Sequence, residues 1–234
     1  MTSDERAAAE FDTAWGAAPE AVRRALTLAY ASLRVGGLAV GAVLTDPAGT
    51  VLAEGRNEAY EEGPGSGPLT GTPLAHAELN ALGAARTGWD LGTAVLWSTH
   101  EPCPMCAAAS RFTGVGQVRY LAPDPWGLSA GVTGSAGAGA PTAGDHWLLA
   151  ANVMFLRSVA LAHADEPGEP RILAHHRTVE PETTELHGAV APGRPAPDTP
   201  EAWFTGFWPT LDAAARARRH RLRATGAPPA SSTA

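Results

Sequence analysis

The stretch THEPCPMC, residues 99–106, holds the only two cysteines of the 234-residue chain, three positions apart, with Pro102 before the first and Pro104 between them. Such a pair can be a redox dithiol, half of a zinc site, or two inert thiols. The proline-flanked start reads as the opening of a helix, PCPMCAAASRF, that Gly114 closes. Cys103 and Cys106 then stand i and i+3, so both sulfurs share one helix face. They sit beside unpaired N–H groups and the positive end of the helix dipole, which favour thiolates.

Outward from this segment the pattern alternates between strands and helices. TAVLWST before it is a short apolar strand, and QVRYLA after it is another. LAVGAVLT and TVLAEGRN flank the turn sequence DPAG, so residues 38–57 read as a β-hairpin. Upstream, Val22, Leu26, Ala29 and Leu33 fall at helical spacing between Pro19 and the Gly36-Gly37 pair. After a Gly/Pro stretch, Thr72 can cap a helix whose first residue is Pro73, running to Gly88. The order α-β-β-α-β-α-β implies an α/β fold, a three-layer α-β-α sandwich around a mixed sheet.

Beyond it lie a Gly/Ala-rich loop at about 127–144, a strong helix over about 145–163 and a fifth strand around RILAHHRTV. The linker VAPGRPAPDTP then leads to a helical segment with Trp203, Phe204, Phe207 and Trp208, expected to add apolar contact area or cover the pocket. This divides the chain into a core, 1–165, with its N-terminal helix, and an extension, 166–234.

Composition narrows the function classes. With 44% hydrophobic residues the chain can bury a sizeable core, and two cysteines cannot make a disulfide framework. MTSDERAAAEFDTAW lacks the basic and apolar regions of a signal peptide. The longest apolar run, WLLAANVMFLRSVALA, is broken by Asn152, Arg157 and Ser158, so no membrane span is expected and the default location is cytoplasmic. Net charge is −7, from 17 basic and 24 acidic residues, which makes nucleic acid an unlikely partner and favours a small molecule. The one basic run, RARRHRLR (216–223), reads as the solvated end of a last helix.

Two thiolates and one imidazole make a three-ligand zinc site with its fourth position open to water. His76 of the HAE segment supplies the imidazole if the two helix starts meet at one sheet edge. Glu78 is two residues on and off the His76 stripe, so it need not ligate and can move protons as base and then acid. A thioredoxin-type dithiol would leave His76 and Glu78 unexplained. A structural zinc site would need a fourth ligand, for which His100 is nearest in sequence. The remaining histidines, His146, His163, His175, His176, His187 and His220, have no ligand spacing to this motif and read as ordinary surface or satisfied groups.

His76-Ala77-Glu78 followed by Pro102-Cys103-Pro104-Met105-Cys106 matches the H-x-E…P-C-x-x-C pattern of zinc deaminases. Residues 20 to about 126 resemble the cytidine/deoxycytidylate deaminase superfamily, most of all the branch of guanine, cytosine and tRNA adenosine deaminases. LAVGAVLTDPAGTVLAEGRN is similar to that branch's hairpin, and HAELNAL and STHEPCPMC are similar to guanine deaminases. Ala39 departs from the usual proline or phenylalanine there. The resemblance implies a cytidine-deaminase-like five-stranded sheet and one Zn2+ per chain on His76, Cys103 and Cys106, with Glu78 catalytic. It implies a homodimer and a small amino-heterocycle converted to its oxo product with release of ammonia. Substrate contacts are expected from Asn57, backbone near Ala77, Asp124 and Trp126. A tRNA adenosine deaminase and an inactive zinc-holding scaffold are the alternatives.

Overall fold

The computed structural model describes residues 2–62, 65, 67–126 and 144–225. Helix α1 (Ser3–Ala17) opens on a capping box in which Thr2 and Glu5 satisfy each other's backbone N–H groups. Helix α2 (Glu20–Val35) begins after Pro19 and stops at Gly36, whose φ of 91° suits a left-handed cap. Strands β1 (Gly41–Thr45) and β2 (Val51–Arg56) form the expected hairpin. Helix α3 (Ala77–Gly83), strand β3 (Val95–His100), helix α4 (Pro104–Phe112) and strand β4 (Gln117–Ala122) follow. Helix α5 (Asp145–Ala162) matches the strong helix of the sequence reading.

The sheet runs β2-β1-β3-β4, antiparallel except for the parallel pair β3/β4. Its two faces are both covered. Ala42, Leu44 and Leu96 pack with Ala77, Ala81 and Leu82 of α3. Trp97 and Leu121 pack on the other side with α2 and α5. That double cover is why all of β1 is buried.

The sheet has four strands, not five. RILAHHRTV is helix α6 (Arg171–Val179), started by Pro170. Its buried residues Ile172, Leu173 and His176 fall on one helical stripe, where a half-buried strand would alternate. Helix α7 (Pro181–Ala189) follows, and the aromatic segment forms α8 (Pro200–Thr205) and α9 (Trp208–Thr225). Trp203, Phe204 and Trp208 are buried within this chain, in one core with Phe11, Trp147 and α2. The segment expected at about 127–144 lies, except for Gly144, outside the described residues.

Helix α3 starts at Ala77 and not at Pro73. Residues 72–75 instead form a turn, with Ala75 N–H donating to the Thr72 carbonyl at 3.1 Å and Leu74 N–H to the Thr72 hydroxyl at 3.3 Å. Glu58 N–H donates to the Ala75 carbonyl at 2.9 Å and ties that turn to the exit of β2.

The basic run is not simply a solvated face either. Arg218 is buried and pairs with Asp145 at 2.5 Å and Glu180 at 2.6 Å, and Arg221 reaches Glu182 at 2.7 Å. The run faces the acidic start of α5 and the α6–α7 junction, a partnership invisible along the sequence.

Gly55 sets how closely α3 sits on the sheet. A Cβ there would lie 2.4 Å from the Ala77 carbonyl oxygen and 2.5 Å from the Ala81 nitrogen. Because these are backbone atoms, Gly55→Ala must push the start of α3 outward. We expect a loss of about 1–3 kcal/mol in stability, the usual range for overpacking, with weakened metal binding. Chemical denaturation and metal analysis of the variant check this, and an unchanged midpoint with full metal content contradicts it.

Candidate metal centre and active site

His76 and Cys103 occupy the N-cap positions of α3 and α4, and neither side chain caps its helix. Ser, Thr, Asp or Asn would normally stand there and accept from an exposed N–H. Both side chains turn to each other instead. His76 Nδ1 lies 3.6 Å from the sulfur of Cys103 and 3.6 Å from that of Cys106. The three ligand atoms all lie within 4.8 Å of one another.

The spacing fits zinc. Ligands about 2.1 Å (nitrogen) and about 2.3 Å (sulfur) from one ion, at tetrahedral angles, stand about 3.6 Å apart. The donor set, two sulfurs and one imidazole, is also the one zinc prefers. Hydrogen bonds from Cys106 and then His76 hold the Cys103 thiol down to about 4. Cys106 is pushed up, first by Cys103 beside it and then by burial. His76 is raised by its hydrogen bond to Cys103. Without a cation the cluster thus accommodates one thiolate readily and resists a second. A divalent ion removes that conflict.

His100 is not a fourth ligand. Its ring packs on Phe155 at 5.0 Å, and Nδ1 lies 3.3 Å from the Thr99 hydroxyl. Among the described residues the metal-capable group consists of His76, Cys103 and Cys106. A redox dithiol is a poorer account of this geometry, since it gives His76 no part.

Glu78 is 4% exposed, on the first turn of α3, and accepts a 2.9 Å hydrogen bond from the buried Ser98 hydroxyl. Burial raises its pKa, and the Ser98 contact partly opposes that. The Glu78 charge acts on both His76 and Cys106, raising the pKa of each, so it lies beside the ligand cluster. Sequence reasoning missed Ser98. The available signal was a hydroxyl on the same strand face as Leu96, the face that meets α3.

Asn57 is buried at the end of β2, and its Oδ1 accepts from Ala59 N–H at 3.1 Å. Its carbonyl accepts from the Ser32 hydroxyl at 2.7 Å. It therefore holds the turn, and it also lines a cavity of about 370 Å³ together with His76, Leu38, Tyr60 and Pro73. Ala77 is buried, with its carbonyl against Gly55. Asp124 and Trp126 do not line that cavity. Asp124 accepts from Trp126 N–H at 2.9 Å and donates its own N–H to Glu101 at 3.2 Å, while the half-exposed Trp126 stands edge-on to Phe155. Both line cavities beneath α5 and α6. Ala39, the departure in the hairpin, is buried with its N–H on the Ser158 hydroxyl of α5.

Residues 17–122 match the model of the cytidine and deoxycytidylate deaminase zinc-binding region. A tRNA(Ile)-lysidine synthase of Deinococcus radiodurans is 33% identical over 132 residues, 54% of this chain and 20% of that protein. A tRNA-specific adenosine deaminase of Haemophilus influenzae is 35% identical over 106 residues, 44% of this chain and 57% of that one. The X-ray structure of guanine deaminase from Bacillus subtilis is 31% identical, over 47% of this chain and 68% of that one, with a TM-score of 0.38. The chain thus spans between a fifth and three fifths of those first two relatives. The match over residues 17–122 includes His76, Glu78, Cys103 and Cys106, with zinc as the cofactor. The chain belongs to the cytidine and deoxycytidylate deaminase superfamily.

Proposed function

We propose that this chain is a zinc-dependent hydrolytic deaminase that converts an amino-substituted nucleobase, nucleoside or related heterocycle to its oxo product and ammonia. The observation that carries the reading is a buried carboxylate, Glu78, beside a triad whose distances suit zinc. His76, Cys103 and Cys106 would hold the ion, which supplies a Lewis acid that brings the attacking water into a reactive state near neutral pH. The remaining work falls to Glu78. Its carboxylate takes a proton from the attacking water and gives one to the ring nitrogen. It then takes the remaining proton from the hydroxyl on the attacked carbon and delivers it to the departing amine, so that the oxo group forms and ammonia leaves as the carbon–nitrogen bond breaks. Ser98 keeps one carboxylate oxygen fixed and the other turned to the reaction. Asn57 and the cavity wall orient the ring. Release of ammonia from a panel of amino-heterocycles by zinc-loaded protein tests the reading, and no release from any of them rejects it.

Each ligand should matter separately. Cys103→Ala and Cys106→Ala are expected to lose most bound zinc and much stability, because metal affinity is also folding energy. Full zinc in both variants, by metal analysis, would remove the assignment.

Glu78→Gln retains size and hydrogen bonding but cannot exchange a proton. Zinc content and folding should stay near wild type while turnover falls by about 10⁴-fold, the upper end for general acid–base catalysis. Ser98→Ala should lower kcat by about tenfold, the worth of one hydrogen bond to a charged group, with KM and zinc content unchanged. A Glu78→Gln enzyme keeping more than a tenth of wild-type turnover defeats this mechanism.

A second reading, action on adenosine within tRNA, is favoured by the Haemophilus influenzae relative. The arginines at the C-terminal end argue against it, since Arg216, Arg218, Arg219 and Arg221 are all paired with carboxylates of this chain. A phosphate-binding surface needs such cations available. We therefore expect no mobility shift of tRNA at low salt, and a salt-dependent shift would favour the second reading.

A further inference from the structure

Arg157 and Arg218 are buried to the same degree, each 6% exposed, yet among the described residues only Arg218 has a counter-charge. Arg218 lies against the carboxylates of Asp145 and Glu180. Arg157, on α5, meets two carbonyls instead. Its Nη2 donates to His187, at 3.1 Å, and to Val190, at 2.8 Å, at the C-terminal end of α7. Burial lowers its pKa and no neighbouring acid opposes that, but a guanidinium stays protonated inside proteins. Nor does the rest of the chain hold an acid in reserve. Residues 1, 63, 64, 66, 127–143 and 226–234, outside the description, include no aspartate or glutamate.

A buried ion without a partner costs several kcal/mol. The end of α7 offsets part of this, since a helix C-terminus carries the equivalent of about half a negative charge. The remainder is uncompensated, and Nε of the same guanidinium has no hydrogen-bond partner among the described residues. Two more buried polar atoms without one belong to α7, Nε2 of His187 and the hydroxyl of Thr184, one turn apart on one helix face. Burial, and then the charge of Arg157, hold His187 down to about 4, so its ring is neutral at pH 7 and stands close to the guanidinium.

These groups share the capacity to donate. Nε–H of an arginine can only donate, and a neutral imidazole protonated on Nε2 and a hydroxyl can both do so. Buried polar groups left unmatched in a folded protein call for a water or an ion. A water molecule would match the hydrogen bonds and leave the charge as it is. A metal cation is repelled by the guanidinium. A small anion answers both needs, because hydrogen bonds from a charged donor to an anion are about twice as strong as neutral ones. Helices α5 and α7 lie beyond the family match at residues 17–122, so these groups are no part of the zinc-binding region.

We infer that the seam between α5 and α7 binds a small inorganic anion, held by Arg157 as its counter-ion and by His187 as a hydrogen-bond donor. The site is separate from the deaminase reading, and its test uses no turnover. Thermal unfolding of zinc-loaded protein is followed in chloride, in phosphate and in gluconate, a bulky anion, at equal ionic strength. An anion present at about 30 times its Kd should raise Tm by about 4–8 °C over gluconate. Arg157→Met, which keeps the length of the stem without its charge, should lose that rise. A larger rise in chloride assigns a halide, and a larger one in phosphate assigns an oxyanion. Crystals soaked in bromide should show an anomalous peak beside the Arg157 guanidinium, and this result decides if the variant does not fold. The inference is overturned if Tm is the same in all three anions, if the rise persists undiminished in Arg157→Met, or if no peak stands beside Arg157. A peak without an anion-dependent Tm marks an adventitious ion only and overturns it too.

Discussion

Helices α3 and α4 begin on residues whose side chains turn to each other rather than cap their helices, and the rest of the site depends on that. At the starts of α3 and α4 the N-cap side chains, His76 and Cys103, face one another and leave the first N–H groups of both helices without a side-chain acceptor. Each omission costs about 1 kcal/mol relative to a good cap. Bringing two positive dipole ends to one edge adds repulsion that sulfur anions and a carboxylate can offset. The neighbouring structure is arranged to keep these starts together. Gly55 allows α3 to lie on β2 at backbone distance, and Ser98 of β3 holds Glu78 in the gap.

One residue at the base of a long loop governs the opposite wall. Asn57 and His76 stand nineteen positions apart yet line one cavity. Glu58 closes the segment between them. Its N–H donates to the Ala75 carbonyl and its carbonyl accepts from Gly71 N–H, both at 2.9 Å. Its buried carboxylate accepts from the Thr70 hydroxyl at 2.5 Å and meets Arg56 at 3.3 Å. This latch explains why α3 cannot begin at Pro73. The backbone groups that would start a helix there are already engaged with the end of β2.

The motif was legible in the sequence because its chemistry is local. An i, i+3 cysteine pair after a proline fixes its own geometry, and H-x-E at a second helix start needs only a sheet edge to complete it. The hairpin and α2 were legible for the same reason, each carrying its own turn and stop signals. Ser98 and Arg218 were not, because their roles come from partners that are 20 and 73 residues distant. The fifth strand failed on periodicity. RILAHHRTV has β-compatible residues, but its buried positions Ile172, Leu173 and His176 are spaced by one and three as on a helix, and Pro170 suits a helix start.

The arginine cluster links these observations. Arg218 joins Asp145, the first residue of α5, to Glu180 at the α6–α7 junction, and Arg221 extends the pairing to Glu182. Buried ion pairs are weak sources of net stability, because desolvation offsets most of their attraction. They are strong specifiers of position, since breaking one leaves an uncompensated charge. Here they set where α6 lies against α5, and therefore where Asn152 and His176 stand relative to the ends of β3 and β4. The aromatic packing of α8 and α9 on Phe11 and Trp147 holds the arginine-bearing helix in place. Among the described residues the C-terminal helices contribute no ligand to the metal centre, yet they fix the wall that α5 and α6 form beyond the ends of β3 and β4.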